Sequence, residues 1–408
     1  MAAIRAHIAG NATGITRDDT IVSEVVKLLH AKTFDEIKLR RRKNCYFYRL
    51  EQDDAASVAN RIRTLLNDAE TSANARDGTA GDADFSLQLD DESIAYAVGQ
   101  LHHYSILEAE RDVLGEAFES LIGPTLRGAE GQFFTPRNVT RMCVDMISPK
   151  PGERVLDPAC GAGGFLGDTL AHLARHSSRA RGKTVGIDKD AFLATLCRDH
   201  LALYHQKHSI FCDNALAPPD NWSEQLQKEA PLGSFDVILT NPPFGAAIPV
   251  KGTDVLSQYD LAWKWVKSAT GIPRPLDERV PSRPPQTLFI ERCVQFLRPG
   301  GRAAIVLPEG ILGNENELYI REWIRAHAHI LAIVDCPLET FMPSTPTKTC
   351  VLFLQKRKSS DDPPPSVYVA IAEHCGHDRR GRPVTNEDGA RRDDFPEIAR
   401  NYKRTDKA

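Results

Sequence analysis

The sequence predicts an α/β fold in which a mostly parallel, doubly wound sheet of Rossmann type follows a helical N-terminal domain. Two observations support the sheet: from about residue 150, short β-branched runs alternate with helical patterns, and such alternation is typical of parallel strands joined by helices. In addition, an apolar run ending at Asp157 leads into a glycine-rich turn, and the next strand ends in Asp188. Acids and glycines at strand ends are typical of a ligand site in this class of fold.

Helical spacing dominates the first part of the chain. Apolar residues recur at helical intervals in 20–30, 58–66 and 94–107. Small polar residues fill 71–85, which indicates a loop between helices. We therefore predict a helical domain over residues 1–125.

The second domain is predicted over residues 126–356. Strands are expected at 154–157, 184–188, 236–240, 302–307, 330–335 and 349–355. Helices are expected at 163–175, 190–206, 286–297 and 316–327. Residues 246–285 are rich in proline and glycine and read as a loop or small insertion. Residues 357–408 are expected to form a C-terminal tail.

Composition limits the class of protein. The chain has 408 residues, 41% of them hydrophobic, which is enough for two packed domains. Its nine cysteines are dispersed without a C-x-x-C pair, so we expect reduced thiols, no metal site and a cytoplasmic location. No apolar run reaches the ~20 residues of a membrane span, and no membrane association is expected.

The charge does not by itself identify a nucleic-acid binder, because the net charge is −4. Basic residues cluster locally at 38–43 and at Arg379, Arg380 and Arg382. Each cluster is equally consistent with a solvated surface. Positive charge for a nucleic acid must therefore come from such patches or from a partner.

The first chemical motif is Val155-Leu-Asp-Pro-Ala-Cys-Gly-Ala-Gly-Gly-Phe-Leu166. Its glycines permit positive φ and a close approach of the backbone to a ligand. No lysine follows to meet a phosphate, and Asp188 stands where such folds hold the ribose of an adenosine. The alternative is a tight turn without a ligand.

The second motif is Val237-Ile-Leu-Thr-Asn-Pro-Pro-Phe-Gly245, a buried strand that stops at two prolines. The amide oxygen of Asn241 and a nearby backbone carbonyl can accept from an exocyclic amino group, and Phe244 can stack on the base. A base is presented in this way after it has been rotated out of the duplex. The alternative is a proline-terminated strand with an incidental phenylalanine.

These two motifs, with Gly131-Gln-Phe-Phe-Thr-Pro136 upstream of them, resemble the N6-adenine DNA methyltransferases. More narrowly, they resemble the modification subunits of type I restriction–modification systems, whose motif order is the same. The similarity extends through 373–383 and 394–398. The resemblance implies transfer of a methyl group from S-adenosylmethionine to adenine N6 in double-stranded DNA, with the base flipped. It also implies a specificity subunit, a restriction subunit and two copies of the chain in one complex.

The resemblance further implies a role for each motif residue. The cofactor site would be formed by Gln132, Phe133, Thr135, Pro136, Asp157, Gly161, Ala162, Gly163, Gly164, Asp188 and Asp213. Thr135 would lie near the carboxylate of the cofactor, Asp188 at its ribose and Asp213 at its adenine. The catalytic residues Asn241, Pro242 and Phe244 would bind the target base. Direct in-line transfer needs no nucleophilic cysteine, so Cys160 is interpreted as a packing residue.

Two rival functions remain open at this point. Asn-Pro-Pro-aromatic motifs also serve RNA and protein-glutamine methyltransferases, although the Gln-Phe-Phe-Thr-Pro element and the helical front domain favour DNA. The other rival is a catalytically silent DNA-binding or scaffolding subunit, which cofactor binding would distinguish. Residues 357–408 show little apolar periodicity, so the sequence predicts no recognition domain there, and 246–285 is the alternative reader of bases.

Overall fold

The computed structural model describes residues 2–13, 15, 18–39, 44–77, 86–106, 135–176, 183–202, 204, 207–245, 248–268, 270–359 and 361–405. The predicted domain boundary at 125 lies outside these residues, as do Gln132 and Phe133. Most of the basic patch at 38–43 is also outside them.

Four helices form the N-terminal part of the described chain. They are α1 (Ala2–Asn11), α2 (Asp18–Leu39), α3 (Ala55–Asp77) and α4 (Asp91–Leu101). A side-chain cap sets the start of α4: Asp90 accepts a hydrogen bond from the backbone N–H of Ser93 at 2.8 Å. Ile94 and Val98 on one face of this helix are fully buried. The predicted helical character of this region is confirmed.

Strands and helices alternate along the rest of the chain. The strands are β1 (Arg154–Asp157), β2 (Lys183–Asp188), β3 (His208–Cys212), β4 (Phe235–Thr240), β5 (Val250–Lys251), β6 (Trp263–Lys267), β7 (Pro273–Arg279), β8 (Ser282–Arg283), β9 (Leu297–Pro308), β10 (Ala328–Asp335), β11 (Thr349–Lys356) and β12 (Tyr368–Ile371). The helices are α5 (Arg137–Ile147), α6 (Gly164–His176), α7 (Ala191–Ala202), α8 (Glu224–Glu229), α9 (Thr253–Leu256), α10 (Pro285–Phe296), α11 (Gly310–Gly313), α12 (Leu318–His327) and α13 (Phe395–Thr405).

Eight strands form one sheet in the order β12-β10-β11-β9-β4-β1-β2-β3. Strand β11 is antiparallel to both its neighbours, and every other pairing in this sheet is parallel. The central strands β1, β2 and β4 are almost entirely buried, as expected for parallel strands covered on both faces. The predicted mostly parallel α/β fold is confirmed.

Strand order reverses between β1 and β4, where chain connections leave the sheet in opposite directions. In doubly wound sheets a ligand binds at this position, beyond the carboxyl ends of the strands. The glycine-rich motif follows β1 and the Asn-Pro-Pro-Phe motif follows β4. The topology therefore brings both motifs to one crevice.

The segment 246–285 has more regular structure than the sequence indicated. It contains two small antiparallel pairs, β5 with β8 and β6 with β7. Arg279 of β7 ties the second pair to the residues that precede it: its Nη1 donates to the carbonyls of Leu256 and Tyr259, and its guanidinium lies 3.8 Å from the ring centre of Trp263 in β6. Proline and charged residues hide these short strands from a pattern search.

The sheet also continues beyond Gln355, where the sequence predicted its last strand. Strand β12 pairs in parallel with β10, and helix α13 packs on α5. Tyr368 of β12 meets Tyr402 of α13 edge to face, with ring centres 5.4 Å apart. Val369 and Ile371 are 65% and 70% exposed, so β12 lacks the alternation of apolar and polar residues that marks a half-buried strand. The apolar run 367–372 was the signal that could have revealed it.

The N-terminal helices contact the second part of the chain through α7. Nδ1 of His30, on α2, lies 3.2 Å from a carboxylate oxygen of Asp199 on α7, and its Nε2 lies 3.9 Å from Glu70 on α3. Burial is the main cause that raises the pKa of both carboxyl groups, each to about 7. The ring therefore lies between two carboxyl groups from different helices. Within the described ranges, no helix combines the length and apolarity needed to cross a membrane.

Candidate active site and cofactor pocket

A cavity of about 400 Å³ opens at the carboxyl ends of β1, β2, β3 and β4. The sequence-predicted residues that line it are Thr135, Asp157, Gly161, Ala162, Gly164, Asp188, Asp213, Asn241, Pro242 and Phe244. Pro136 and Gly163 do not line it. Pro136 precedes α5 and its carbonyl accepts from the backbone N–H of Val139, and Gly163, within the turn, packs against Cys197 of α7. Ten side chains or backbone positions from three motifs and two further strand ends thus meet in one pocket.

The glycine-rich turn begins where β1 ends. Gly161 and Gly163 have φ of 49° and 84°, values that favour glycine. A Cβ atom at Gly161 would meet no atom within 4 Å, because this residue faces the cavity. A Cβ atom at Gly163 would lie 2.8 Å from Sγ of Cys197 on α7. One glycine therefore leaves room for a ligand, and the other allows close packing of the turn on a helix.

Asp188 fastens this turn to the end of β2. Its Oδ2 accepts from the backbone N–H of Gly161 at 2.8 Å, and its Oδ1 accepts from that of Asp190 at 3.0 Å. Burial is the largest cause and raises its pKa above the ordinary value. Asp188 thus stabilises the turn and also lines the cavity.

Two further acids line the pocket. Asp157 is 1% exposed, and its Oδ1 accepts from the backbone N–H of Ala159 at 3.1 Å. Burial raises the pKa of Asp157 to about 7. Asp213 is half-buried, and its Oδ2 accepts from the backbone N–H of Ser223 at 3.0 Å.

The amide of Asn241 connects two motifs. Its Nδ2 donates to Oγ1 of Thr135 at 2.9 Å, so the Gln-Phe-Phe-Thr-Pro element touches the Asn-Pro-Pro-Phe element. Its Oδ1 is buried and has no hydrogen-bond partner among the described residues. An unsatisfied buried acceptor costs about 1–3 kcal/mol. The arrangement therefore suits a ligand that donates a hydrogen bond to this oxygen.

Phe244 forms an apolar wall beside Asn241. Its side chain is 5% exposed and lines the cavity. The ring meets Phe341 edge to face, with centres 6.4 Å apart and planes at 85°. Phe341 belongs to the single helical turn Leu338–Phe341 after β10. The edge-on partner orients the ring while its position on the cavity wall lets it contact a planar ligand.

Several pocket residues were not anticipated from the sequence. Phe165, Leu193, Asn214, Ile248 and Phe289 line the cavity. Asn214 follows Asp213 at the end of β3, a signal that could have identified it. Phe165 lies at the end of the glycine-rich motif, which could also have identified it. Leu193, Ile248 and Phe289 come from helices or from the 246–285 segment, where the sequence shows no motif.

His200 supports the turn from below. Its Nδ1 lies 2.9 Å from the carbonyl oxygen of Ala162, 38 residues away in sequence. Burial lowers the pKa of this imidazole to about 4, so the ring is neutral near pH 7 and Nδ1–H donates to the carbonyl. A Cβ atom at Gly167 would lie 2.9 Å from Cε1 of the same ring. The glycine-rich turn is thus held by a histidine that no motif contains.

Comparison with known proteins identifies relatives of this chain. Residues 109–403 match the sequence profile of the N-6 DNA methylase family. The EcoEI type I restriction enzyme methylase subunit of Escherichia coli is 31% identical over 259 residues, which are 60% of this chain and 47% of that protein. The MjaIX methylase subunit of Methanocaldococcus jannaschii is 26% identical over 282 residues, 66% of this chain and 46% of that protein. The chain therefore spans about half the length of the curated relatives it matches.

Solved structures share the fold. The type I restriction–modification methyltransferase subunit from Streptococcus thermophilus superimposes with a TM-score of 0.61. It is 18% identical, and the match covers 99% of this chain and 92% of that one. At this identity the likeness concerns the architecture of the chain.

Proposed function

This chain belongs to the N-6 DNA methylase family, and from that premise we propose that it transfers a methyl group from S-adenosylmethionine to N6 of adenine in DNA. We further propose that it acts as the modification subunit of a type I restriction–modification system. Its partners would be double-stranded DNA with a flipped adenine, a specificity subunit and a restriction subunit, with two copies of the chain in the complex. The relatives named above are methylase subunits of such enzymes.

The pocket suits the proposed cofactor. Its volume of about 400 Å³ falls within the usual range of small-molecule sites. Gly161 leaves open space above the turn, and Asp188 and Asp213 place carboxylates at two successive strand ends. Asp157 adds a third acid near a ligand that carries positive charge. S-adenosylmethionine, when bound, supplies an electrophilic methyl group on a sulfonium.

The observation that carries the proposal is the buried Oδ1 of Asn241, which lacks a partner among the described residues and lines the cavity. This oxygen and the carbonyl of Pro242 can accept the two hydrogens of an exocyclic amino group. Such bonds favour a tetrahedral nitrogen whose lone pair leaves conjugation with the ring. Phe244 stacks on the base, and holding both reactants in line lowers the barrier by several kcal/mol or more. An amide is not a base, so Asn241 orients the amino group without deprotonating it.

The decisive experiment measures methyl transfer and cofactor affinity on the same preparation. Asn241→Ala should abolish transfer to DNA while S-adenosylmethionine affinity, measured by calorimetry, stays within about twofold of wild type, because Asn241 is proposed to contact the base. Asn316→Ala, an exposed asparagine outside the cavity lining, is the matched control and should keep full activity. More than a tenth of wild-type activity in Asn241→Ala would contradict the assignment.

The same assay separates the rival functions. Labelled cofactor is offered with genomic DNA, with RNA and with a glutamine-containing peptide, with and without the neighbouring subunits. Transfer to RNA or peptide alone would identify the rival methyltransferases, and absence of cofactor binding would identify a silent subunit.

A further inference from the structure

The second basic cluster found in the sequence lies in a compact hairpin whose role the proposed reaction leaves open. We define the arginine hairpin as residues 375–393. Isolated β-bridges pair Cys375 with Asp393, His377 with Pro383 and Thr385 with Arg391, so the segment folds back on itself twice. Five arginines are exposed on it: Arg379, Arg380, Arg382, Arg391 and Arg392.

The arginine hairpin is tied to the wall of the base pocket. Nε of Arg379 lies 3.0 Å from Oε1 of Glu339, within the helical turn that also carries Phe341. A Cβ atom at Gly381 would come 3.3 Å from Pro343, just after this turn. Phe341 in turn contacts Phe244 of the Asn-Pro-Pro-Phe motif. Two contacts thus connect the arginines to the proposed base-stacking ring.

The base of the arginine hairpin is fixed to helix α5. Nδ2 of Asn138, in the first turn of α5, donates to the carbonyl of Cys375 at 2.9 Å and to Oδ2 of Asp393 at 3.1 Å. Asn138 follows Thr135, which bonds Asn241, by three residues. The hairpin is therefore anchored to α5, which follows Thr135, and to the turn that carries Phe341.

The arginine hairpin contains five arginines and four acidic residues, Asp378, Glu387, Asp388 and Asp393, so its formal net charge is +1. Asp378 accepts from the backbone N–H groups of Arg380 and Arg382, and its carboxylate pairs with the Arg382 guanidinium at 2.7 Å. Arg380, Arg391 and Arg392 have no salt bridge to any described residue. Three exposed guanidinium groups are thus left available on a chain whose net charge is −4.

We propose that the arginine hairpin binds the DNA phosphates beside the flipped adenine. The inference rests on the proposed function, and it assigns the backbone contact that this function leaves open. A flipped nucleotide keeps its two flanking phosphates at the mouth of the pocket, where they must be held while the base is inside. Arginine suits this contact because its planar fork donates two hydrogen bonds to phosphate oxygens.

The test measures affinity of the full chain for a fluorescent duplex with a mismatched central adenine, over a series of salt concentrations. The triple variant Arg380→Gln, Arg391→Gln, Arg392→Gln should lower the slope of log Kd against log salt by about 2 to 3 units, since each phosphate contact adds about 0.9. Binding at low salt should weaken roughly tenfold or more. Affinity for S-adenosylmethionine should stay unchanged, which shows that the variant is folded.

Arg325→Gln is the control. This arginine lies on helix α12, outside the arginine hairpin, and its side chain is 69% exposed, against 68% for Arg379 of the hairpin. It should leave the slope unchanged. An unaltered slope in the triple variant, an equal loss in Arg325→Gln, or no salt-dependent DNA binding by the wild-type chain would overturn the proposal. Methyl transfer to DNA by the wild-type chain with its partner subunits is measured separately. Its presence beside any of these results would show that the hairpin assignment alone has failed.

Discussion

The side-chain amide of Asn241 donates a 2.9 Å hydrogen bond to the hydroxyl oxygen of Thr135, 106 residues earlier in the chain. The bond uses the nitrogen of the amide and so turns the oxygen toward the cavity. The resemblance implied a place for Thr135 near the cofactor carboxylate. A hydroxyl accepts and donates at once, so Thr135 can accept from Asn241 and still offer its own hydrogen to an anionic ligand.

Thr135→Val should therefore reduce kcat more than it weakens cofactor binding. Valine has nearly the same shape but cannot accept the amide hydrogen, and the loss of one hydrogen bond is worth about 1 kcal/mol. We expect kcat to fall about fivefold to tenfold, measured as single-turnover methyl transfer at saturating S-adenosylmethionine.

Thr135→Ser is the matched control, since serine keeps the hydroxyl and should retain most of the activity. If Thr135→Val and Thr135→Ser behave alike, the hydroxyl does not orient Asn241. If instead Thr135→Val loses cofactor affinity at unchanged kcat, the residue serves the cofactor only.

The contact between Thr135 and Asn241 also shows how much of the site can be predicted from the sequence. Asn241 could be placed at the ligand-binding edge because it follows a buried parallel strand, whereas Thr135 precedes a helix and only the resemblance implied its place there. Which atoms bond across the crevice depends on how α5 packs against the sheet, and no local pattern encodes that distance.

Other features were not predicted from the sequence because they too depend on long-range packing. His200 and Phe341 reach the site from a helix and a turn whose positions follow from long-range packing, although each is an ordinary residue in its local sequence. Strand β12 was missed because its outward-facing residues are apolar and exposed. Strands β1, β2 and β4 were predicted well, since buried parallel strands have continuous apolar runs.

The two positive-φ glycines of the glycine-rich turn, Gly161 and Gly163, should respond differently to replacement by alanine. Gly161→Ala adds a methyl group into the open cavity, so we expect weaker S-adenosylmethionine binding and a loss of stability of only about 1 kcal/mol from the backbone. Gly163→Ala would drive its methyl group against Cys197 and should lower the unfolding temperature more.

Calorimetric affinity and thermal unfolding, measured on both variants, test this contrast. Gly163→Ala combined with Cys197→Ala removes the clash and should recover part of the lost stability. Equal loss of stability in the two single variants would show that Gly161 also packs tightly, against our interpretation of it as a cofactor-facing position.

Cofactor affinity should depend on pH through Asp157. Burial raises the pKa of this carboxyl to about 7, so below pH 7 it is mainly protonated and binding of a cationic ligand must release its proton. The affinity for S-adenosylmethionine should therefore rise with pH between about 6 and 8, by up to tenfold per unit at the acidic end, and then level off.

Calorimetry in buffers of different ionisation enthalpy should detect up to one proton released per cofactor bound below pH 7. Asp157→Asn should bind the cofactor more weakly and without this dependence. A pH slope that persists in Asp157→Asn would assign the proton to another group, with Asp188 the next candidate because burial also raises its pKa.

The last prediction concerns the choice of DNA sequence. Base-specific readout requires side chains presented into a groove, usually by a dedicated element. Residues 361–405 instead fold against the eight-stranded sheet through β12 and α13. In the 246–285 segment, Trp263 lies under the guanidinium of Arg279 and Trp265 packs beside Tyr319 at 5.8 Å. Both tryptophans therefore make internal contacts, which argues against this segment as the reader of bases.

We therefore predict that this chain methylates no defined motif by itself and methylates one motif when the proposed specificity subunit is added. The arginine hairpin would bind the phosphates of DNA of any sequence, because phosphate contacts position a protein without selecting bases. Sequencing-based methylation maps of genomic DNA, treated with the chain alone and with the subunit, test the prediction. Asn241→Ala with the subunit should leave the DNA unmethylated, which excludes a contaminating enzyme. Dense methylation of one motif by the isolated chain would contradict the dependence and return the role of reader to residues 246–285.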